Sequence, residues 1–164
     1  CPSGRSNIAP TSYGNGIEEK MCKERNIEFN NWRSHDKALT GEVNDGNAHY
    51  FFNGISGHAG IFADVNAYAD LCLYYMTSRD ELIKSSMTEH REGRGLGWQI
   101  SESFPMGCGH TGFTGTSVYI CKDKNIAAVT FTNRLHTKRE AKDLFNFRKE
   151  LHNCILNILK KGRN

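Results

Sequence analysis

Between residues 109 and 115 the chain reads Gly109-His110-Thr111-Gly112-Phe113-Thr114-Gly115. Three glycines in so short a stretch let a backbone approach a ligand with no Cβ in the way. The same stretch carries a titratable imidazole and two hydroxyls, a set suited to orienting a polar substrate and handling a proton beside it. Taken alone, these residues fit equally well a glycine-rich lead-in to a strand with a solvent-facing histidine. Ser34-His35-Asp36-Lys37 has the S-x-x-K spacing in which a lysine helps to activate a serine. It lies in a polar, loop-like stretch after Trp32-Arg33 rather than at the start of a buried helix, so the spacing is read as coincidence. Cys108, His110 and Cys121 are metal-ligating types, but no fourth ligand stands at a recognisable zinc spacing, and no metal is expected.

The glycine-rich stretch stands before a run of strand-like sequence. Ser117–Cys121 and Ile126–Thr132 read as two strands, joined by the turn Lys122-Asp123-Lys124-Asn125 into an antiparallel hairpin. Gly95-Leu96-Gly97-Trp98-Gln99-Ile100 reads as a further strand, with Trp98 packing beneath the sheet. Asp64 is a good N-cap for a helix whose inward face would be Val65, Tyr68, Leu71, Cys72, Tyr75 and Met76. A shorter helix is expected over Asp80–Met87, with Leu82, Ile83 and Met87 inward. Thr137 and Glu140 form a capping box for a long terminal helix lined by Leu144, Phe147, Leu151, Ile155 and Ile158. Residues 1–50, punctuated by Pro2, Gly4, Pro10, Gly14, Gly16, Gly41 and Gly46, read as mostly loop. The fold class is therefore α+β, an antiparallel sheet of at least three strands packed with helices.

The 164 residues fit a single domain, 1–164, with residues 51–164 holding the regular elements. With 38% hydrophobic and 24% charged residues, the composition is that of a globular protein rather than a disordered one. A net charge of +3 with dispersed lysines and arginines gives no nucleic-acid footprint, and Lys160, Lys161 and Arg163 read as a solvated tail. No apolar run is long enough to span a membrane. The first residue is Cys1 rather than methionine, so the N-terminus is expected to have been removed or to lie elsewhere. Among the six cysteines, Cys72 and Cys154 fall on apolar helical faces, while Cys1–Cys22 and Cys108–Cys121 remain open as bridges.

Several segments then fall into one pattern. Ile8-Ala9-Pro10-Thr11, Gly41-Glu42-Val43-Asn44-Asp45-Gly46-Asn47-Ala48, Gly54-Ile55-Ser56-Gly57-His58-Ala59-Gly60-Ile61-Phe62, Gly95-Leu96-Gly97-Trp98, His110-Thr111-Gly112-Phe113-Thr114-Gly115-Thr116 and Thr132-Asn133-Arg134-Leu135-His136 occur in order along nearly the whole chain. Together they resemble the serine β-lactamase and penicillin-binding-protein family, in its esterase and peptidase branch. The resemblance implies a partial β-lactamase-like (transpeptidase-like) fold, to which this chain contributes the later sheet strands and the terminal helix. An all-helical insertion domain would lie outside it.

His110-Thr111-Gly112 looks like the H-T-G version of the family's K-T-G motif on the strand beside the nucleophile. The resemblance implies that His110 and Thr111 orient the substrate and its proton network, and that the Phe113 N–H is one of two oxyanion donors. Losing one such donor typically costs about 3 kcal/mol of transition-state stabilisation. Gly112, Thr114, His58 and Asn47 are the implied substrate-binding positions. His58 also reads as a histidine bonding a loop carbonyl, and Asp45 or Asn47 as an Asx turn. Asn133, Arg134 and His136 read as turn and helix-start chemistry.

Tyr13-Gly14-Asn15 has the spacing of the family's Tyr-x-Asn motif but stands after Ala-Pro-Thr instead of long before it. The serine and its lysine are therefore expected upstream of Cys1. The implied activity is acyl transfer to water through a serine ester, on an ester, a peptide with D-residues or a β-lactam, with no cofactor. Its partners would be that small-molecule or peptide substrate and the missing N-terminal part of its own domain. The alternatives are a binding module that keeps the fold without the chemistry, or one half of a split protein. The family favours the cell envelope or secretion, and the cysteine content leaves the cytoplasm open.

Overall fold

The computed structural model describes residues 7–137 and 141–161. The chain divides into two compact units, Cys1–Phe62 with Asn133–Ala141, and Ala63–Thr132 with Lys142–Asn164.

The second unit is built on a three-stranded antiparallel sheet of order β1-β2-β3: β1 Cys108–Thr111, β2 Ser117–Cys121 and β3 Ile126–Thr130. Registers are set by the pairs His110–Val118 and Val118–Val129. The expected hairpin is present. Its turn is a single 3-10 turn over Lys122–Lys124 closed by Asn125 at φ 54°, a left-handed conformation that asparagine tolerates better than most residues. β3 ends two residues before the expected Thr132.

Side chains alternate across this sheet. Cys108, Val118 and Ile120 form one apolar face, packed with Tyr68, Cys72, Tyr75 and Met76 of α3 (Val65–Thr77) and with Met87 and Trp98. Trp98 meets the Tyr75 ring edge-on at 5.1 Å. On the other face Tyr119, Cys121 and Ile126 pack with Phe104, Ile155 and Leu156, the last two from α5 (Phe145–Lys161). Cys108 and Cys121 consequently point to opposite faces, and both are free thiols, as are Cys22, Cys72 and Cys154. That rules out the Cys108–Cys121 bridge; Cys1 lies outside the described residues.

Several expectations need correction. Asp64 does cap α3, accepting from Ala67 N at 2.8 Å, but Val65 and Leu71 are exposed. Leu71 is rotated 100° from Cys72, off the packed stripe, and Val65 sits in the first turn. In α4 (Glu81–Ser86), capped by Asp80, Leu82 faces solvent for the same rotational reason. Gly95–Ile100 is not a strand. Gly93 (φ 75°) and Gly97 (φ 81°) bend the chain there, and a Cβ on Gly95 would lie 2.2 Å from the Ser86 carbonyl oxygen. Only Gln99 joins the sheet, exchanging two backbone hydrogen bonds with Gly109.

The terminal helix starts at Phe145, not after Thr137. Glu140 of the expected capping box lies outside the described residues, and Leu144 precedes the helix. Phe147 and Ile158 are exposed, because α5 turns Arg148, His152 and Leu156 inward instead. Among the described residues no helix is long and apolar enough to cross a membrane.

The first unit contains two helices where loop was expected, α1 (Gly16–Glu24) and α2 (Gly46–Tyr50). Its centre is polar. Arg33 donates to Asn15 Oδ1 and to the Val43 and Asn44 carbonyls, while the Tyr50 hydroxyl also donates to the buried Asn15. Glu18 of α1 accepts from Asn15 Nδ2 and from Gly46 N, which ties the two helices together.

His152 is a buried titratable group in the core of the second unit. Its ring lies between elements of the core, stacked on Tyr119 at 4.6 Å and on Phe104 at 5.5 Å, with Nδ1 2.6 Å from the Ser103 carbonyl and Nε2 without a hydrogen-bond partner. Burial, opposed by the Ser103 carbonyl and aided by the Arg148 charge, holds its pKa below the imidazole value of 6.5. A depressed folded-state pKa gives stability that is fully present above the unfolded value and is lost as pH falls through the folded value. Thermal unfolding between pH 8 and 5 should show the melting temperature falling below about pH 6.5. His152→Phe should flatten that fall; an unchanged slope in the variant would remove His152 as its source.

Candidate active site

The glycine-rich stretch begins on β1 and turns into β2. Gly109 is buried and touches its surroundings closely: an added Cβ would lie 2.2 Å from the Phe104 ring and 2.3 Å from the Val118 carbonyl oxygen. His110 follows on the exposed part of the strand. Its Nδ1 lies 2.9 Å from the Thr111 carbonyl oxygen. A carbonyl only accepts, so Nδ1 carries the proton in this contact and Nε2 of the neutral ring is left as an acceptor. Thr111, on the opposite sheet face, accepts at Oγ1 from Gln99 Nε2 at 3.5 Å.

From Gly112 the backbone folds into a tight turn. Gly112 N donates to Thr116 O at 2.7 Å and Gly115 N to Gly112 O at 3.1 Å, with Gly115 at φ 125°, a conformation open in practice to glycine alone. Phe113, at the head of this turn, is half-exposed, and Thr114 follows it. The turn is held from outside by two side chains. Thr132 Oγ1 donates to Gly115 O at 2.6 Å, and Arg148 Nη2 of α5 reaches the carbonyl oxygens of Gly112, Gly115 and Thr116 at 3.4, 3.1 and 3.2 Å. Nothing in the apolar periodicity of α5 pointed to Arg148. The buried Ser117 hydroxyl, opposite Thr111 in the ladder and without a hydrogen-bond partner, was equally invisible in the sequence.

His110, Thr111, Gly112, Phe113 and Thr114 thus lie together in the second unit, whereas His58 and Asn47 belong to the first. His58 Nε2 lies 3.1 Å from Asp45 Oδ1, so its partner is a carboxylate and not a loop carbonyl. The same Asp45 oxygen caps α2 by accepting from Ala48 N at 2.8 Å. Burial would raise the Asp45 pKa, but the Ala48 N–H and His58 outweigh it and hold the carboxyl below its ordinary value. Asn47 is exposed on the first turn of α2.

The decoy motifs have local duties. Ser34 Oγ donates to the Asp36 carboxylate at 2.9 Å and accepts from Asp36 N. Tyr13 stacks on His136, and Asn15 is the buried partner of Arg33. Asn133 accepts from His136 N and donates to Pro10 O, the turn chemistry expected of that segment, though no helix follows directly. Among the described residues no three His, Cys, Asp or Glu side chains converge on a possible metal site. Burial pushes the Cys108 thiol up to about 12, with the nearby Cys121 adding to it, so it is not a nucleophile at neutral pH.

Residues 7–152 match the family model for β-lactamase, and the chain belongs to that family. An N-acetylmuramyl-L-alanine amidase of Bacillus subtilis is 30% identical over 145 residues, 73% of this chain and 32% of its own length. Putative D-alanyl-D-alanine carboxypeptidases of Salmonella enteritidis and Escherichia coli K12 are 31% and 29% identical, each covering 68% of this chain and 30% of their own length. The chain therefore spans about a third of the length of these curated relatives. No solved structure matches it.

The contacts around Gly109 give a direct test of how tightly the strand is seated. Gly109→Ala should destabilise the chain by roughly 1–3 kcal/mol, the usual range for overpacking a core. Urea unfolding would measure it, and a variant as stable as the parent would show that the Phe104 contact yields freely.

Proposed function

We propose that this chain is the C-terminal part of a single β-lactamase-like catalytic domain, and that the complete protein is a hydrolase working through an acyl-serine ester. The chain would supply the substrate-facing H-T-G strand and one oxyanion-hole N–H, with the S-x-x-K serine on a segment preceding Cys1. The observation that carries this reading is the His110-Thr111-Gly112 strand running into a braced turn headed by Phe113. In the proposed mechanism the serine attacks a carbonyl carbon and charge develops on its oxygen. The Phe113 N–H, fixed by the turn, meets that charge with little reorganisation. His110, with Nδ1 engaged by the Thr111 carbonyl, offers Nε2 to a substrate group or a proton in transit. Thr111, Gly112 and Thr114 would line the same strand edge, while His58, braced by Asp45, and Asn47 would serve substrate binding.

The activities for which the relatives are named favour an amide substrate, in particular a peptide ending in D-alanine, over a simple ester. No cofactor is needed for this chemistry. By itself the chain is expected to be inactive, since Ser34 is bonded to Asp36 and Lys37 stands in the same exposed loop.

Labelling with a fluorophosphonate and with a penicillin, read by intact mass, separates the possibilities. The 164-residue chain should take up neither reagent, and the protein extended through the preceding segment should take up one equivalent on an S-x-x-K serine. An adduct on Ser34 would overturn the partial-domain reading. No adduct on the extended protein would leave a non-catalytic binding module with the same fold. In an active extended protein, His110→Ala should lower kcat by about 100-fold, within the range for loss of a proton-handling side chain, as measured by steady-state hydrolysis of a D-alanyl peptide.

A further inference from the structure

We infer that Arg148 is a positioning residue for the oxyanion donor, acting through the backbone of the turn and not by touching substrate; this rests on the acyl-serine reading given above. Arg148 lies in the first turn of α5 and is only 8% exposed. One guanidinium nitrogen, Nη2, reaches three carbonyl oxygens, those of Gly112, Gly115 and Thr116. These belong to the residue before Phe113 and to the two residues that complete the turn back into β2. The Gly112 carbonyl is half of the peptide unit whose other half is the Phe113 N–H. Because that unit is planar, a hydrogen bond at the oxygen fixes where the N–H points.

The turn's own hydrogen bonds, Gly115 N to Gly112 O and Gly112 N to Thr116 O, close the bend but do not tie it to α5. Gly112 and Gly115 give the backbone the freedom to make the bend, and that same freedom lets it swing. Gly115 at φ 125° sits in a region with few side-chain restraints of its own. Thr132 Oγ1 pins one carbonyl, that of Gly115. Arg148 links both ends of the bend to a helix anchored by Leu156 in the core. The two N–H groups of Nη2 are shared among the three oxygens, and the planar guanidinium fixes where that nitrogen sits, whereas a lysine ammonium rides on a flexible four-carbon stem that fixes its position less.

The test uses Arg148→Lys and Arg148→Met in the 164-residue chain and in the extended protein that carries the nucleophile. In the chain, amide hydrogen exchange over residues 112–116 should quicken in both variants, with the rest of β1 and β2 protected as in the parent. In the extended protein, Arg148→Lys should keep the melting temperature and substrate KM while kcat falls about 100-fold, the scale expected of small misplacement at a reacting centre. The decisive readout compares an oxygen ester with its thionoester, in which sulfur accepts poorly from the oxyanion donors. The parent should prefer the oxygen ester strongly, and Arg148→Lys should lose most of that preference.

If Arg148→Lys keeps both kcat and the oxygen preference, Arg148 is only a structural brace and the inference fails. If exchange quickens but the parent extended protein forms no acyl-enzyme, the acyl-serine reading has failed, and the positioning role falls with it. If Arg148→Met proves too unstable to assay, Arg148→Lys alone decides the matter.

Discussion

A buried arginine bonded to backbone carbonyls is the constraint on which the second unit depends. Taking a guanidinium out of water is expensive, and it is tolerated only where good acceptors replace the solvent. Here the Gly112–Thr116 turn supplies them in one place. The dependence is mutual, because each of those carbonyls accepts from Arg148 as well as from a nearer group, Gly112 O from Gly115 N, Thr116 O from Gly112 N and Gly115 O from Thr132 Oγ1. The position of α5, the shape of the turn and the direction of β1 are therefore settled together.

His152, one helical turn after Arg148, does for the start of β1 what Arg148 does for its end. It takes the Ser103 carbonyl, while Tyr119 donates to Pro105 O and the Cys121 thiol to Met106 O. The loop before β1 is thus gripped by side chains from α5 and β2. Between the two grips the strand runs without slack: Gly109 presses on Phe104, and Cys108 is buried on the far face. A histidine carried on a strand held at both ends has a well-defined direction, which any role in catalysis requires.

The first unit solves a similar problem with the same kind of residue. Arg33 bridges Asn15 and the carbonyls of Val43 and Asn44, and Glu18 joins α1 to the start of α2. The polar segments that read as loop are therefore ordered by hydrogen bonds rather than by an apolar core. α1 buries none of its residues and its Asn15 cap makes no side-chain capping bond, so neither periodicity nor a cap could announce it.

The sequence by itself determined the features that depend on neighbouring residues. Two strand-like runs joined by the Lys122–Asn125 turn marked the β2–β3 hairpin, Asp64 and Asp80 marked two helix starts, and six short segments in order marked the family. These are short-range signals, carried by pleat geometry, capping chemistry and local wording. Composition placed the H-T-G segment before a strand and the family resemblance implied a strand there; the tertiary structure has β1 at Cys108–Thr111 and puts Gln99 alone at its edge. The sequence rotated α5 wrongly, because two of the inward positions, Arg148 and His152, are polar and an apolar stripe cannot register them. Only the tertiary structure decided those roles, since Arg148 meets carbonyls 32 to 36 residues away and His152 one 49 residues away. Whether a buried polar side chain is a liability or a brace depends on which distant backbone groups arrive beside it.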